Sequence, residues 1–282
     1  MDMPQSAVHD GVDGSHAYRL MQPPAHDGLG LSRDEFIGAV GDIAATDGSL
    51  GWLAGSYGVA AVALAPEAVD RVWGTRPDAL VAIAHHGSAM VERGRLTGRW
   101  GSVVGAERAD WFLLSCDGRL LLVPRIHVDV DAHLRPADLS GAGIGDVTVS
   151  DFAIDDRDTA VADPVMAAAT AASVVVGSAL GGWRRHVEQV RARLAISYGG
   201  DEITDEAAAQ IARTASDLDA SRLQISTAGL SGVAPYAQAI ARARAAADRL
   251  MASSRHALDA SDPVTAAWRD VHAGCRLATA LM

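Results

Sequence analysis

The chain has 282 residues, 49% hydrophobic and 21% charged, which is enough apolar surface to bury a core without disulfides or metals. A formal net charge of −11 excludes a surface built to neutralise phosphates, so nucleic acid is not an expected partner. The chain contains no Lys and no Asn, which removes Schiff-base chemistry, a phosphate-loop Lys and every role that needs an Asn side chain.

In chain order, Met1 to about Gly30 is rich in Gly, Pro, His and Asp without sustained periodicity, and reads as an irregular, partly disordered lead-in. It lacks a positive region followed by an apolar run, so no secretory signal is expected and the cytoplasm is the default location. Ser32 followed by Glu35 forms a capping-box pattern, with Phe36, Ile37, Val40 and Ile43 at helical spacing behind it. An Ala/Gly/Val-rich segment runs from Leu50 to Ala65, and Pro66-Glu67 opens a short helix bearing Val69, Val72 and Trp73.

From about Asp78 the pattern changes to short β-type runs at Ala79 to Ala84, Ala89 to Trp100, Asp110 to Cys116, Arg119 to Val130 and Asp146 to Ile154. Cys116-Asp117-Gly118-Arg119 is a strong hairpin signal, because Asp and Gly tolerate the positive φ of a type I′ turn. Glu92-Arg93-Gly94-Arg95 predicts a second hairpin. Strands with tight turns and no helices between them make an antiparallel sheet or small barrel, not a βαβ nucleotide fold.

After Asp163-Pro164 the chain reads as helix to its end. The first helix contains the small-apolar stretch Val165 to Gly182, followed by Trp183-Arg184-Arg185 in the manner of a membrane flank. Ala and Gly contribute little transfer energy, so this stretch reads as a buried bundle helix and no membrane is expected. A second helix starts at Thr204-Asp205-Glu206 with a stripe of Ala208, Ile211, Ala215, Leu218 and Ile225. A third carries Ile240, Ala243, Ala247 and Met251, and a fourth opens at Asp262-Pro263 and buries Val264, Trp268, Val271 and Cys275. The expected class is α+β, with an N-terminal helical segment over residues 1–77, an antiparallel β domain over 78–155 and a four-helix bundle over 156–282.

Several groups are candidate sites. Cys116 and Cys275 are too few for a disulfide framework and read as buried thiols in a reducing compartment. His127, Asp129, Asp131 and His133 alternate and would share one face of an extended strand, with ligand types that suit a divalent ion. Their spacing along a strand is too wide to converge, so a polar outer face is preferred and no metal is expected. Gly177-Ser178 and Leu230-Ser231-Gly232 do not complete a nucleophile elbow. Gly141-Ala-Gly-Ile-Gly145 lacks the Lys-Ser/Thr of a phosphate loop and reads as a turn. Arg269, His272 and Arg276 fall on one helical face and suit a cleft facing a phosphate or an acidic substrate, with a solvated face as the alternative.

Six segments, Ala44-Ala-Thr-Asp-Gly-Ser-Leu-Gly-Trp52, Val72-Trp73-Gly74, Gly94-Arg-Leu-Thr-Gly-Arg-Trp100, Ala109-Asp-Trp111, Leu139-Ser-Gly-Ala-Gly-Ile-Gly-Asp-Val147 and Trp268-Arg-Asp-Val-His272, resemble the acyl-CoA dehydrogenase superfamily. Within it they are similar to the oxygenase components of two-component flavin-dependent monooxygenases acting on phenols, seco-steroids and polyketides. The family usually carries a further helix before the segment resembling Ala17-Tyr-Arg-Leu-Met21 and a tail after the last helix, neither of which is expected here.

The resemblance implies an oxidoreductase that takes reduced FMN or FAD from a separate flavin reductase, binds it between the β domain and the bundle, and hydroxylates an aromatic or polycyclic substrate with oxygen. It also implies a homo-oligomer, dimer or tetramer. It assigns Trp100, Val104, Gly105, Gly141, Ala142, Gly143 and Arg276 to the cofactor, and His272, Arg269 and His86 to catalysis. From the residues alone, Trp100 and Trp111 read as core and His85-His86 as a surface loop. Val104 stands where the family commonly has Ser, Ala142 and Ile144 where it has hydroxyl residues, and Leu277 where it often has an acid/base His. The same substitutions suit a catalytically degenerate subunit kept for assembly with a full-length homologue, binding or regulation. An acyl-CoA dehydrogenase proper needs a catalytic carboxylate, and none is assigned among the bundle residues.

Overall fold

A computed structural model describes residues 16–132, 138–155, 159–196, 203–229, 231–252 and 261–279. Helices α1 (Arg33–Thr46), α2 (Gly48–Ala63) and α3 (Pro66–Trp73) come first. Strands β1 (Val81–Ala84), β2 (Ser88–Glu92), β3 (Arg95–Val103), β4 (Trp111–Cys116), β5 (Arg119–Pro124), β6 (Asp129–Asp131), β7 (Gly145–Ala153) and β8 (Thr159–Ala160) follow. Helices α4 (Pro164–Ile196), α5 (Asp205–Ala228), α6 (Ala234–Ala252) and α7 (Pro263–Thr279) complete the chain. Two compact units form: a β unit from Met1–Ala39, Trp52–Arg135 and Ser140–Asp163, and a helical unit from Val40–Gly51, Pro136–Leu139 and Pro164–Met282.

In the β unit, the Ser32 amide and hydroxyl both donate to the Glu35 carboxylate, at 2.8 and 2.6 Å, which is the capping box expected for α1. The lead-in is more ordered than its composition predicts over residues 16–31. Ala17 and Leu20 are buried, Gln22 donates to the carbonyl of Pro77 at 2.7 Å, and the amides of Leu29 and Leu31 bond back to Arg19 and Leu20. Irregular backbone is stable there because its polar groups are paired. The first 15 residues lie outside the described set.

The strands form two four-stranded sheets, ordered β1-β4-β5-β8 and β2-β3-β7-β6. Asp117 and Gly118 (φ 49° and 77°) turn β4 into β5, and Arg93 and Gly94 (φ 51° and 75°) turn β2 into β3. Both predicted hairpins therefore form with the two positive φ angles of a type I′ turn. Among the described pairings, β1 with β4 is parallel and the rest are antiparallel. The β2–β3 hairpin lies between β1 and β4 in the chain and supplies the crossover that a parallel pair needs. In the first sheet β4 and β5 are covered on both faces, which is why Phe112-Leu-Leu114 and Leu120-Leu-Leu-Val123 are continuous apolar runs. In the second, β3 and β7 alternate between covered and wet positions.

The expected strand from Arg119 to Val130 is broken. Pro124 has no N–H to continue the ladder, and a 3₁₀ turn at Arg125–His127 separates β5 from β6. His127 thereby leaves the alternating face and its ring lies 5.0 Å from that of Phe152. Asp129 and Asp131 are exposed on β6, and His133 lies outside the described residues.

In the helical unit, 94% of the apolar window of α4 is buried, so the membrane-like run is a core helix. A Cβ on Gly177 would sit 2.2 Å from the carbonyl oxygen of Gly41, and one on Gly181 would sit 2.1 Å from that of Ala45. Glycine lets the C-terminal half of α1 rest directly on the α4 backbone. Thr204 caps α5 through the Ala207 amide, and Asp262 caps α7 through the Val264 amide. The buried stripe of α5 differs from expectation: it is Thr214, Leu218, Ser221 and Ile225, while Ala208 is exposed. Thr214 and Ser221 enter it because each hydroxyl donates to a carbonyl one turn back, Gln210 and Asp217. Cys116 and Cys275 are both buried free thiols.

Candidate functional site

The candidate residues of the β unit lie on two turns. Between Trp100 and Val103 the register of β3 against β7 shifts, and in that bulge Ser102 has φ 55°, a left-handed conformation unusual for a non-glycine residue. Asp146 holds the bulge: its Oδ1 accepts the Ser102 amide at 3.0 Å and its Oδ2 accepts Arg99 Nη2 at 2.8 Å. The Ser102 amide and then Arg99 keep the Asp146 carboxyl below its ordinary range.

Beyond the bulge, the Gly105 amide donates to the Ala142 carbonyl at 3.0 Å and the Glu107 amide to the Gly143 carbonyl at 3.3 Å. The Val104-Gly105 and Gly141-Ala142-Gly143 segments, more than thirty positions apart in the chain, are thus laced together. The Tyr57 hydroxyl donates to the Gly105 carbonyl at 3.1 Å. Gly105 has φ 76°, and a Cβ there would lie 2.5 Å from the Tyr57 oxygen, so no other residue fits. Burial raises the Tyr57 phenol above its ordinary pKa, which keeps it a donor.

Val104, Ala142 and Ile144 are buried, so the missing hydroxyls are replaced by core side chains. Gly101, Ser102, Ser140 and Gly141 are exposed on the same two segments. Trp100 lies in the core of the β unit. It is 0% exposed, its indole N–H is donated to the Ser115 carbonyl at 2.9 Å, and a Cβ on Gly87 would collide with its ring. A large aromatic at an inward strand position is absorbed by the core. His86 is exposed and His85 half-buried; burial, reinforced by the neighbouring His86, pushes the His85 imidazole down to about 4, so His85 is neutral at neutral pH.

In the helical unit, His272 and Arg276 turn to different partners. His272 Nε2 lies 2.6 Å from Asp248 Oδ1 on α6, and the same oxygen accepts the Trp268 indole N–H at 2.8 Å. The Trp268 and His272 rings are 4.4 Å apart. Burial raises the Asp248 carboxyl, but the Trp268 and His272 hydrogen bonds outweigh it and the net position is below the ordinary range. An ionised carboxylate only accepts, so His272 Nε2 must carry the proton and Nδ1 is the nitrogen left for other work. Arg276 is exposed and pairs with Asp138 at 3.6 Å, and Arg269 is half-buried. Asp270, the middle residue of the Trp268-to-His272 segment, accepts the Leu139 amide at 3.2 Å. Burial pushes its carboxyl up to about 6.

No family model matches the chain. The sequence is 28% identical over 316 aligned residues to a flavin-dependent monooxygenase, oxygenase subunit HsaA, from Rhodococcus jostii, covering 91% of this chain and 83% of that protein. The structure matches a crystal structure of 3-HSA hydroxylase from Rhodococcus sp. RHA1 with a TM-score of 0.82 at 23% identity, over 94% of this chain and 85% of the other. It matches XiaF from Streptomyces sp., solved with FADH2 and glycerol, with a TM-score of 0.76 at 18% identity, over 94% and 84%. The chain has the acyl-CoA dehydrogenase-like fold of flavin-dependent monooxygenase oxygenase components.

Three residues of these clusters carry no mark in the sequence pattern. Asp248 lies 24 positions before His272 on another helix, and nothing local marks it. Asp270 lies inside the Trp268-to-His272 segment, but burial tunes its carboxyl, and burial follows from packing rather than from local sequence. Ser102 follows Trp100-Gly101, where the strand pattern hid a bulge. Ser178 is buried with an unpartnered hydroxyl, so it is no nucleophile, and Leu230 of the other serine motif lies outside the described residues.

Proposed function

We propose that this chain is the oxygenase component of a two-component monooxygenase: it takes reduced FMN or FAD from a separate reductase and hydroxylates an aromatic or polycyclic substrate with oxygen. The observation that carries this is the single alignment to the HsaA oxygenase subunit, which spans 91% of the chain and leaves too little out to miss either compact unit. When bound, the reduced flavin supplies the electrons by which one oxygen atom enters the substrate and the other leaves as water.

The residues of the two laced turns fit such a group through backbone rather than side chains. Gly101 and Gly141 expose backbone that a planar ring can approach, and Ser102 and Ser140 offer exposed hydroxyls on the same segments, in place of those absent at Val104, Ala142 and Ile144. The Gly105–Ala142 and Glu107–Gly143 hydrogen bonds hold the turns rigid, which lowers the ordering cost of binding. We assign proton handling to His272 through Nδ1, with Asp248 fixing the tautomer, and substrate or phosphate contacts to Arg269, Arg276 and His86. A homo-oligomer in a reducing cytoplasm, where Cys116 and Cys275 stay thiols, completes the reading.

The test is to supply the purified protein with a flavin reductase, FMN or FAD, an aromatic substrate panel and labelled oxygen. Incorporation of label into product is expected, and its absence with every flavin and substrate tried would end the enzymatic reading. In an active preparation, His272→Gln and Asp248→Asn should lower kcat by roughly 10²-fold or more while leaving flavin affinity unchanged.

Leu277 favours a second reading. It is half-buried at the position where the resembling family often places an acid/base His, and with Val104 and Ala142 it suits a degenerate subunit. That protein would bind flavin weakly alone and co-purify with a full-length homologue.

A further inference from the structure

Leu139 is 2% exposed and has φ 55°, a conformation that a leucine keeps only when its surroundings hold it. What holds it lies in its own, helical unit. Its N–H donates to Asp270 Oδ1 at 3.2 Å, and the preceding Asp138 pairs with Arg276 on α7. The next residue in the chain is Ser140, which begins the Ser140–Ala142 turn already assigned to the cofactor. The other carboxyl oxygen of Asp270 has a built surrounding as well. A Cβ on Gly48 would meet Asp270 Oδ2 at 2.9 Å and Ser178 Oγ at 3.0 Å, so both atoms converge on the space that glycine leaves open. Ser178 is 3% exposed and its hydroxyl has no partner, an uncommon condition for a buried polar atom.

We propose that Asp270 is a positioning residue: it holds the Leu139 backbone in its left-handed turn and so sets the Ser140-to-Gly143 turn for flavin. The proposal rests on the flavin-binding reading given above. The carboxyl has two states with different consequences. Ionised, it is a strong acceptor for the Leu139 N–H. Protonated, it is a weaker acceptor, and its hold on Leu139 loosens. The charged groups facing it are Asp47 and Asp138, which raise its pKa, and Arg185 on α4, which with the Leu139 amide lowers it; burial is the largest influence, and the midpoint is about 6. Arg276 reaches it through Asp138.

The test follows the Leu139 amide resonance of the flavin-free protein between about pH 5 and pH 7, alongside anaerobic affinity for reduced FMN and FAD. In the wild type the resonance should move with a midpoint near 6, and flavin affinity should fall several-fold on the acid side. Asp270→Asn, which keeps the shape and an acceptor, should abolish both dependences. A Leu139 resonance that does not titrate, or a flavin affinity with the same pH profile in wild type and Asp270→Asn, overturns the proposal. A titrating Leu139 in a protein that binds no flavin at any pH supports the anchor and ends the flavin reading instead.

Discussion

The β unit and the helical unit present their candidate residues in opposite ways. In the β unit, His86 apart, the candidate side chains are sealed: Trp100, Val104 and Ala142 are buried, and what faces outward on the two turns is backbone and two serines. In the helical unit the candidates are titratable side chains on α7, each tied to a partner from a distant part of the chain: His272 to Asp248, Asp270 to Leu139, Arg276 to Asp138. The difference teaches that shape in this protein is carried by β turns and charge by helix faces, and that the two need different tests.

The largest effect should come from Trp100. If it is core, Trp100→Ala removes a fully buried indole and its bond to Ser115, and urea denaturation should show a loss of about 3–5 kcal/mol. A wild-type midpoint with flavin affinity lost would restore Trp100 as a ligand contact and undo the contrast. The helical unit has its own steric test. Gly181→Val places a Cβ 2.1 Å from the Ala45 carbonyl oxygen, backbone against backbone, and should cost roughly 3 kcal/mol. Gly182→Ala meets the Ala267 Cβ at 3.1 Å and should cost well under half of that.

Those two sites also show what was legible beforehand. The hairpins at Arg93-Gly94 and Asp117-Gly118, the capping box at Ser32 and the burial of α4 follow from local chemistry that any chain with these residues would obey. The mixed α+β order was legible for the same reason. The parallel β1–β4 pair was not, because pairing partners are chosen over distance. Nor was the break at Pro124 weighed against the apolar run around it. For the site, His272 was legible as a candidate, whereas Asp248 was not, since their contact exists only after α6 and α7 pack. Ile144 and Leu277 were read as departures from the family, but only the structure shows that Ser102 and Ser140 stand exposed on the same two turns.

A smaller effect isolates charge in the helical unit. The Asp270 carboxyl is raised from 3.8 to about 6, so the folded chain holds a proton that the unfolded chain releases. Its contribution is therefore present below the unfolded pKa and is lost as pH rises through the folded one, making stability fall between about pH 4 and pH 6. Asp270→Asn should remove that slope, leaving the variant on the order of 2 kcal/mol better off above pH 6 than below pH 4 relative to wild type. Urea titrations at both pH values measure it. An unchanged slope would mean that the Asp270 carboxyl is solvated and that another group carries the pH dependence.

The smallest effect tests the β unit through one serine. Ser102 sits at φ 55° in the bulge, with its amide on Asp146 and its side chain exposed. Ser102→Gly relieves the left-handed strain but gives the unfolded chain more freedom, so stability should rise by only about 0.5 kcal/mol. Ser102→Ala keeps the strain and removes the hydroxyl, so its stability should stay within about 0.5 kcal/mol of wild type. Flavin affinity separates the two causes. If the hydroxyl contacts flavin, both variants should weaken binding alike, by several-fold. If only the bulge matters, Ala should bind as wild type does and Gly more weakly, because a glycine there lets the turn move. Equal affinity in all three proteins would place recognition at the Ser140-Gly141 side of the laced turns, and would leave backbone shape as the β unit's whole contribution.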